Sequence, residues 1–251
     1  MSRLIPLVAA AALLLAPAAG AQEDDPVVVA RAVVPVMGHI VGFEGVLWRS
    51  DLVLYNDSAQ PADILISPLP APDLFQFRTL EPGESLVFPN VAADSFGIAS
   101  GVTPLLVQTL GPRSVTVFAT AYGLHEGRLT PTVIVPVLYG PLPAGVQHLR
   151  GLAMNADRRT DLGIVNLAGA PASFTISLQR LEQRPIAVQT VTLGPESSVH
   201  VPLNQLFPLV AEGDGLTVVV DGTSPESWAY ACVVRNDTHE VTFVMPVFRG
   251  R

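Results

Sequence analysis

Arg49-Ser-Asp-Leu-Val-Leu-Tyr-Asn56 decides the fold, because Arg159-Thr-Asp-Leu-Gly-Ile-Val-Asn166 writes it again 110 positions later. Each stretch reads as a strand with two different faces. With side chains pointing to opposite faces in turn, Ser50, Leu52 and Leu54 share one face and Arg49, Asp51, Val53 and Tyr55 the other. The pattern predicts a strand with its leucines in the core. Asn56 and Asn166 close the two strands as turn-forming residues.

Working outward, the repetition continues. His39 and Gly42 recur as His148 and Gly151, and Pro61 and Ile66 as Pro171 and Ile176. Leu80, Pro82 and Pro89 recur as Leu193, Pro195 and Pro202, while Ala119, Ala121, Pro136 and Gly140 recur as Ala229, Ala231, Pro246 and Gly250. A nearly constant offset with small drifts is what loop insertions produce in a duplicated unit. Between these anchors the first copy reads as short strands at 62–67, 74–80, 84–89, 104–109, 114–122 and 131–138, with one helical turn at 90–96. Turns at Glu81-Pro82-Gly83, Gly111-Pro112 and Glu126-Gly127 separate them. The expected fold is all-β, with two tandem antiparallel β-sandwich domains of immunoglobulin-like architecture related by internal duplication. The paired cysteines of antibody domains are missing, since Cys232 is the single cysteine and permits no disulfide within the chain.

The ends set the compartment. Residues 1–21 read as a signal peptide, with Arg3 ahead of an apolar run from Leu4 to Leu15 and Ala19-Gly20-Ala21 as a cleavage site. Residues 22–26 form an acidic lead-in. The first sandwich is expected over 27–140 and the second over 141–251, with a proline-stiffened joint at Gly140-Pro-Leu-Pro143. Val135-Pro-Val137 fits either domain. No membrane anchor is expected, and export places the chain in a bacterial periplasm or outside the cell. All 14 basic residues are arginine and 22 are acidic, a formal charge of −8 that argues against nucleic acid as a partner.

The chemistry-bearing residues fall into a few sets. Arg49 with Asp51, and Arg159 with Asp161, stand on one strand face about 6.7 Å apart. Because the pair occurs in both copies, a structural ion pair across the sheet is the expected role. The five histidines have no metal-ligand spacing, although His125-Glu126 and His239-Glu240 fall in comparable hairpins. No nucleophile elbow or phosphate loop is present. No residue is singled out as catalytic, cofactor-binding or metal-binding. The late strands carry the candidate interaction face: Phe118 and Tyr122 in the first copy, Trp228 and Tyr230 in the second. Both sides of these strands are apolar, so both sides should be covered, by the core and by the other domain, a second chain or a ligand.

With its Leu-x-Pro turns downstream, the doubled Arg-Ser/Thr-Asp-Leu motif resembles exported bacterial tandem β-sandwich repeat proteins that carry no assigned activity. That resemblance implies location and fold. At the level of plan the chain also resembles two-domain periplasmic pilus chaperones, which use a basic pair including lysine; this chain has no lysine. The expected function is a non-catalytic binding or structural module that takes a protein partner or its own copies, without a cofactor. The alternatives are a chaperone-like protein that captures a partner's strand, and a hydrolase with its site at the domain junction.

Overall fold

A computed structural model describes residues 28–69, 71–110, 115–140, 145–180, 184–222 and 224–249. The expected signal peptide, the acidic lead-in, the turn at Gly111-Pro112 and the joint at 141–143 lie outside the described residues. The fold is all-β, built from antiparallel sheets.

The first half contains β1 (Val28–Val41), β2 (Leu47–Tyr55), β3 (Ala62–Pro68), β4 (Gln76–Leu80), β5 (Ser85–Phe88), a short helix α1 (Val91–Phe96), β6 (Gly101–Leu110), β7 (Thr116–His125), β8 (Arg128–Leu129), β9 (Val133–Val135) and β10 (Leu138–Tyr139). The second contains β11 (Val146–Met154), β12 (Arg158–Asn166), β13 (Ala172–Arg180), β14 (Ala187–Leu193), β15 (Ser197–Pro202), a one-turn helix α2 (Leu203–Leu206), β16 (Gly213–Gly222), β17 (Ser227–Arg235), β18 (Val241–Val244) and β19 (Val247–Arg249).

In the second half, β14-β13-β16-β11-β19 form one sheet and β15-β12-β17-β18 the other. The first half follows the same order. There β4-β3-β6-β1 carries β10 on β1, and β2 pairs with β5 and β7, with β9 on β7. One difference is that β1 runs on past its layer and pairs through His39 to Val41 with Arg49 to Leu47, so a hairpin joins the two layers into one continuous sheet.

Strand phase follows the alternation. Leu52 and Leu54 of β2 are fully buried, as are Leu162 and Ile164 of β12. They meet Ile64, Ile66 and Leu105 in the first core, and Phe174, Ile176 and Val218 in the second. Each core is thus a set of side chains interdigitated between two sheet layers. The expected strand over 131–138 is a correction. It divides at Pro136, whose ring removes the N–H a ladder needs; β9 pairs with β7 in one layer and β10 with β1 in the other. Val135-Pro-Val137 therefore crosses between layers of the first half.

Asn56 and Asn166 do more than turn the chain. Both are fully buried. Asn56 Nδ2 donates to the carbonyls of Gln60 and Leu80 at 2.8 and 2.9 Å, and its Oδ1 accepts the Ser58 N–H at 3.0 Å. Asn166 Nδ2 donates to the carbonyls of Ala170 and Gly194 at 2.8 and 2.7 Å, and its Oδ1 accepts the Ala168 N–H at 3.3 Å. Each amide ties its own turn to the end of a strand in the opposite layer (β4 or β14). Asn56 also begins a glycosylation sequon, but a buried nitrogen bonded twice is closed to a glycan.

Candidate functional site: the junction of the two sandwiches

β17 supplies the centre of the junction. Its inward residues Ala229 and Ala231 join the second core, and its outward residues Trp228, Tyr230 and Cys232 form a separate cluster with Val165 of β12. From the first half, Leu69, Val36 and Leu138 close over that cluster; Leu167, Phe243 and Phe248 flank it. Trp228 and Tyr230 are only 2% and 1% exposed, and their rings stack with centroids 5.9 Å apart. Gly163 explains how Tyr230 lies flat on the sheet. It is Tyr230's cross-strand neighbour, and a Cβ there would sit 2.0 Å from the ring carbon Cζ.

The polar ends of this cluster are satisfied in place. The Tyr230 hydroxyl lies 3.1 Å from His200 Nδ1, and His200 Nε2 lies 3.8 Å from Asp161. Burial pushes the Tyr230 phenol well above its ordinary value, with the Cys232 and Asp161 charges adding to it. The Cys232 thiol is pushed well up too, first by burial and then by Asp161. An acid held in its neutral form is a poor nucleophile. The Asp161–His200–Tyr230 chain therefore holds a buried hydroxyl rather than activating one.

A pH dependence follows. Below about pH 9, the ordinary value of a thiol, Cys232 is protonated in both folded and unfolded chains and stability is fully present. Above it the unfolded chain loses the proton while the folded chain keeps it. Stability is then expected to fall by about 1.4 kcal/mol for each pH unit, until the raised folded value is reached. Urea unfolding at pH 8, 9 and 10 measures the fall, and Cys232→Ala should flatten its first part. Tyr230 and Tyr122, both raised, extend the loss above their ordinary 10.0.

A second set of contacts rims the junction. Residues 43–45 make a single 3-10 turn between β1 and β2. The Arg159 guanidinium lies 5.0 Å from the centroid of the Phe43 ring and donates from Nη1 to Asn236 Oδ1 at 2.7 Å. Burial lowers the Arg159 pKa, opposed by Asp161 and Glu44. Glu44 also reaches His239, with Oε2 and Nε2 3.7 Å apart, and the His239 ring meets His125 edge-on at 5.0 Å. Glu44 and His239 both hold left-handed backbone, φ 55° and 56°. Strained backbone concentrates where surrounding contacts over-determine it. These residues fasten the β1–β2 and β7–β8 turns of the first half to β12 and the β17–β18 turn of the second.

The ion pair expected inside each motif is a correction. Asp51 instead accepts the Asn90 N–H at 2.8 Å and the Tyr122 hydroxyl at 3.3 Å, which fixes the start of α1. His39 Nδ1 donates to Asn90 Oδ1 at 2.9 Å in the same network. Asp161 faces His200, and Arg159 turns to Phe43 and Asn236. Two side chains separated by about 6.7 Å along a strand yield to partners that approach from neighbouring elements.

The four residues of the expected interaction face are separated by the fold. Trp228 and Tyr230 are buried at the junction; Tyr122 is half-buried against Asp51; Phe118 is 42% exposed. The outward face of β7 thus departs from the expectation that both late strands are covered. Val53 of β2 lies between Val87 of β5 and Phe118 of β7 in register, so the three form one row across the outer face. Tyr55 and Ile134 extend it, and Val87 and Ile134 are 56% and 61% exposed. In the second half the matching positions of the sheet, Gly163 and Tyr230, lie under the first half.

A groove of about 450 Å³ opens beside the junction, lined mainly by Val33, Leu69, Leu106, Leu138 and Leu167, with Arg31, Glu196 and Glu226 at its polar side. A more open cleft at the β17–β18 turn holds Arg235 and Asp237. Their displaced pKa values come first from the hydrogen bond between them, an exposed ion pair at 3.0 Å. No helix among the described residues is long and apolar enough to cross a membrane.

No family model matches the chain, and a search of curated proteins also finds no match. A crystal structure of a Thermotoga maritima protein is similar over 43% of this chain and 96% of its own length, at 15% identity and a TM-score of 0.37.

Proposed function

We propose that this chain is an exported, non-catalytic module, made of two duplicated β-sandwiches, that binds or organises another macromolecule or its own copies. The matching strand order of the two halves and the twin buried asparagines support the duplication. The titratable groups gathered at the junction support the non-catalytic reading. Glu44, His125, His239 and Arg159 face one another across the two halves and spend their interactions on fastening them.

The observation that carries the binding role is the row Val87–Val53–Phe118 with Tyr55 and Ile134. It is an apolar strip on the outer face of a sheet, left open where its counterpart is covered. Contiguous exposed apolar surface on a folded protein marks an interaction site. Aromatic residues at its middle are the usual anchors of such contacts.

A photo-crosslinking amino acid in place of Phe118, in the producing cell, tests this. A discrete protein adduct is expected, reduced by Val87→Glu and missing when the same group replaces the exposed Leu209. Equal labelling at 118 and 209 would overturn the binding surface. Recovery of the chain in the cytoplasmic fraction would overturn the export reading.

A further inference from the structure

Strand β14, Ala187-Val-Gln-Thr-Val-Thr-Leu193, is the longest edge strand among the described residues, with seven residues. It pairs with β13 without a break from Ala187 to Leu193, and no described strand pairs with its other side. An open edge is a template for another strand, and proteins blunt such edges with charge, proline, bulges or a cover. β14 has none of the first three. Its counterpart in the first half, β4, is shorter and carries Arg78, whose Nη1 folds back to donate to the Phe77 carbonyl at 2.6 Å. The two equivalent edges are thus treated differently: one is guarded by a cation and the other is left neutral and open.

The sequence of β14 is its own antiparallel complement. With a two-fold axis at Thr190, Val188 of one copy lies opposite Thr192 of the other, Gln189 opposite Val191 and Ala187 opposite Leu193. Every pair keeps its face, so Ala187, Val191 and Leu193, which pack on the core, stay on the core side. β-Branched and Thr–Thr pairs favour such a ladder, and no like charges meet in it. Beyond the strand, the end carrying Arg184 in one copy comes to the end carrying Glu196 in the other. A chain with a formal charge of −8 repels its copies elsewhere, so a neutral strand with opposite charges at its two ends is a favourable place for them to meet.

We propose that β14 is a self-association edge: two copies pair through it about Thr190, merging two five-stranded sheets into one. This rests on reading the chain as a binding or structural module and names a second copy as a partner. Recognition is by backbone hydrogen bonds along the edge, with side-chain register supplying the selectivity.

Sedimentation equilibrium and oxidative cross-linking of the full chain test it. The wild type is expected to form a dimer. Thr190→Lys sets two cations opposite each other on the axis and should weaken the dimer roughly tenfold or more while leaving the melting of the monomer unchanged. In a Cys232→Ala background, Thr190→Cys should give a disulfide-linked dimer, since directly opposed residues lie within disulfide reach. Leu209→Cys should give none. A monomeric wild type, or a dimer that ignores Thr190→Lys and does not cross-link at 190, overturns the proposal. A chain that stays monomeric yet binds a synthetic strand peptide of sequence unrelated to β14 overturns the second copy in favour of strand capture. None of these outcomes touches the crosslink at 118, so failure here is distinct from failure of the module reading.

Discussion

Asn166→Asp is expected to destabilise the second sandwich by about 3–5 kcal/mol, although the two side chains have the same shape. The amide donates to the Ala170 and Gly194 carbonyls at a site with no solvent exposure. An aspartate puts a carboxylate oxygen against those two carbonyl oxygens and leaves both without a donor. Burial and the facing dipoles raise the folded pKa of the new carboxyl, so its neutral form is the tolerated one. The sign follows: the deficit should be smallest below the ordinary carboxylate range and grow as pH rises through the raised value. Asn166→Ala, which loses the bonds without adding a charge, should cost less, about 1–3 kcal/mol. Urea denaturation from pH 4 to 8 separates the two. Asn56→Asp should behave alike in the first half, because the same bonds recur there.

Leu162→Ala and Leu52→Ala are each expected to cost about 2–5 kcal/mol, as truncations of fully buried leucines at the centre of a core. Leu162 packs among Ile164, Phe174 and Ala231, and Leu52 among Ile64, Val117 and Ala119, so neither site can collapse around the loss without moving two sheets. Chemical denaturation of each variant measures it. A loss below about 1 kcal/mol would place these leucines on an outer face and invert the phase of β2 and β12.

Strand phase was legible in the sequence because it is a local property. Alternation over Arg49 to Tyr55 is enough to send Leu52 inward, and the helical turn at 90–96 announces itself between Pro89 and Gly97. The strand character of 131–138 was legible too, but not its division at Pro136, because either side of a proline can find a different layer. What escaped was every contact made between halves. Arg159 and Phe43 are 116 positions apart, and no periodicity joins a strand residue to a turn in another sandwich. His125 and His239 were visible as matching hairpin residues, and that shared position was the one available signal that the two tips meet.

Phe118 and Trp228 show the same limit from the other side. Both point outward from the late strand of their half, so their sequence surroundings predict one fate. Docking makes them differ: the layer holding β1 and β10 covers β17, and nothing in the described residues covers the row through Phe118. An asymmetric joint between similar units thus creates one buried face and one open face from the same pattern. That asymmetry is why the repeated motif reports on the fold, whereas the unmatched surfaces report on binding.

The outward face of β17 fastens the two sandwiches into one body. Small-angle X-ray scattering of the wild type and Trp228→Ala, at concentrations where both are monodisperse, tests this most directly. Removing the indole is expected to open the junction, with a larger radius of gyration, a scattering profile of two linked bodies, and melting in two steps. An unchanged profile with a single unchanged melting transition would contradict it.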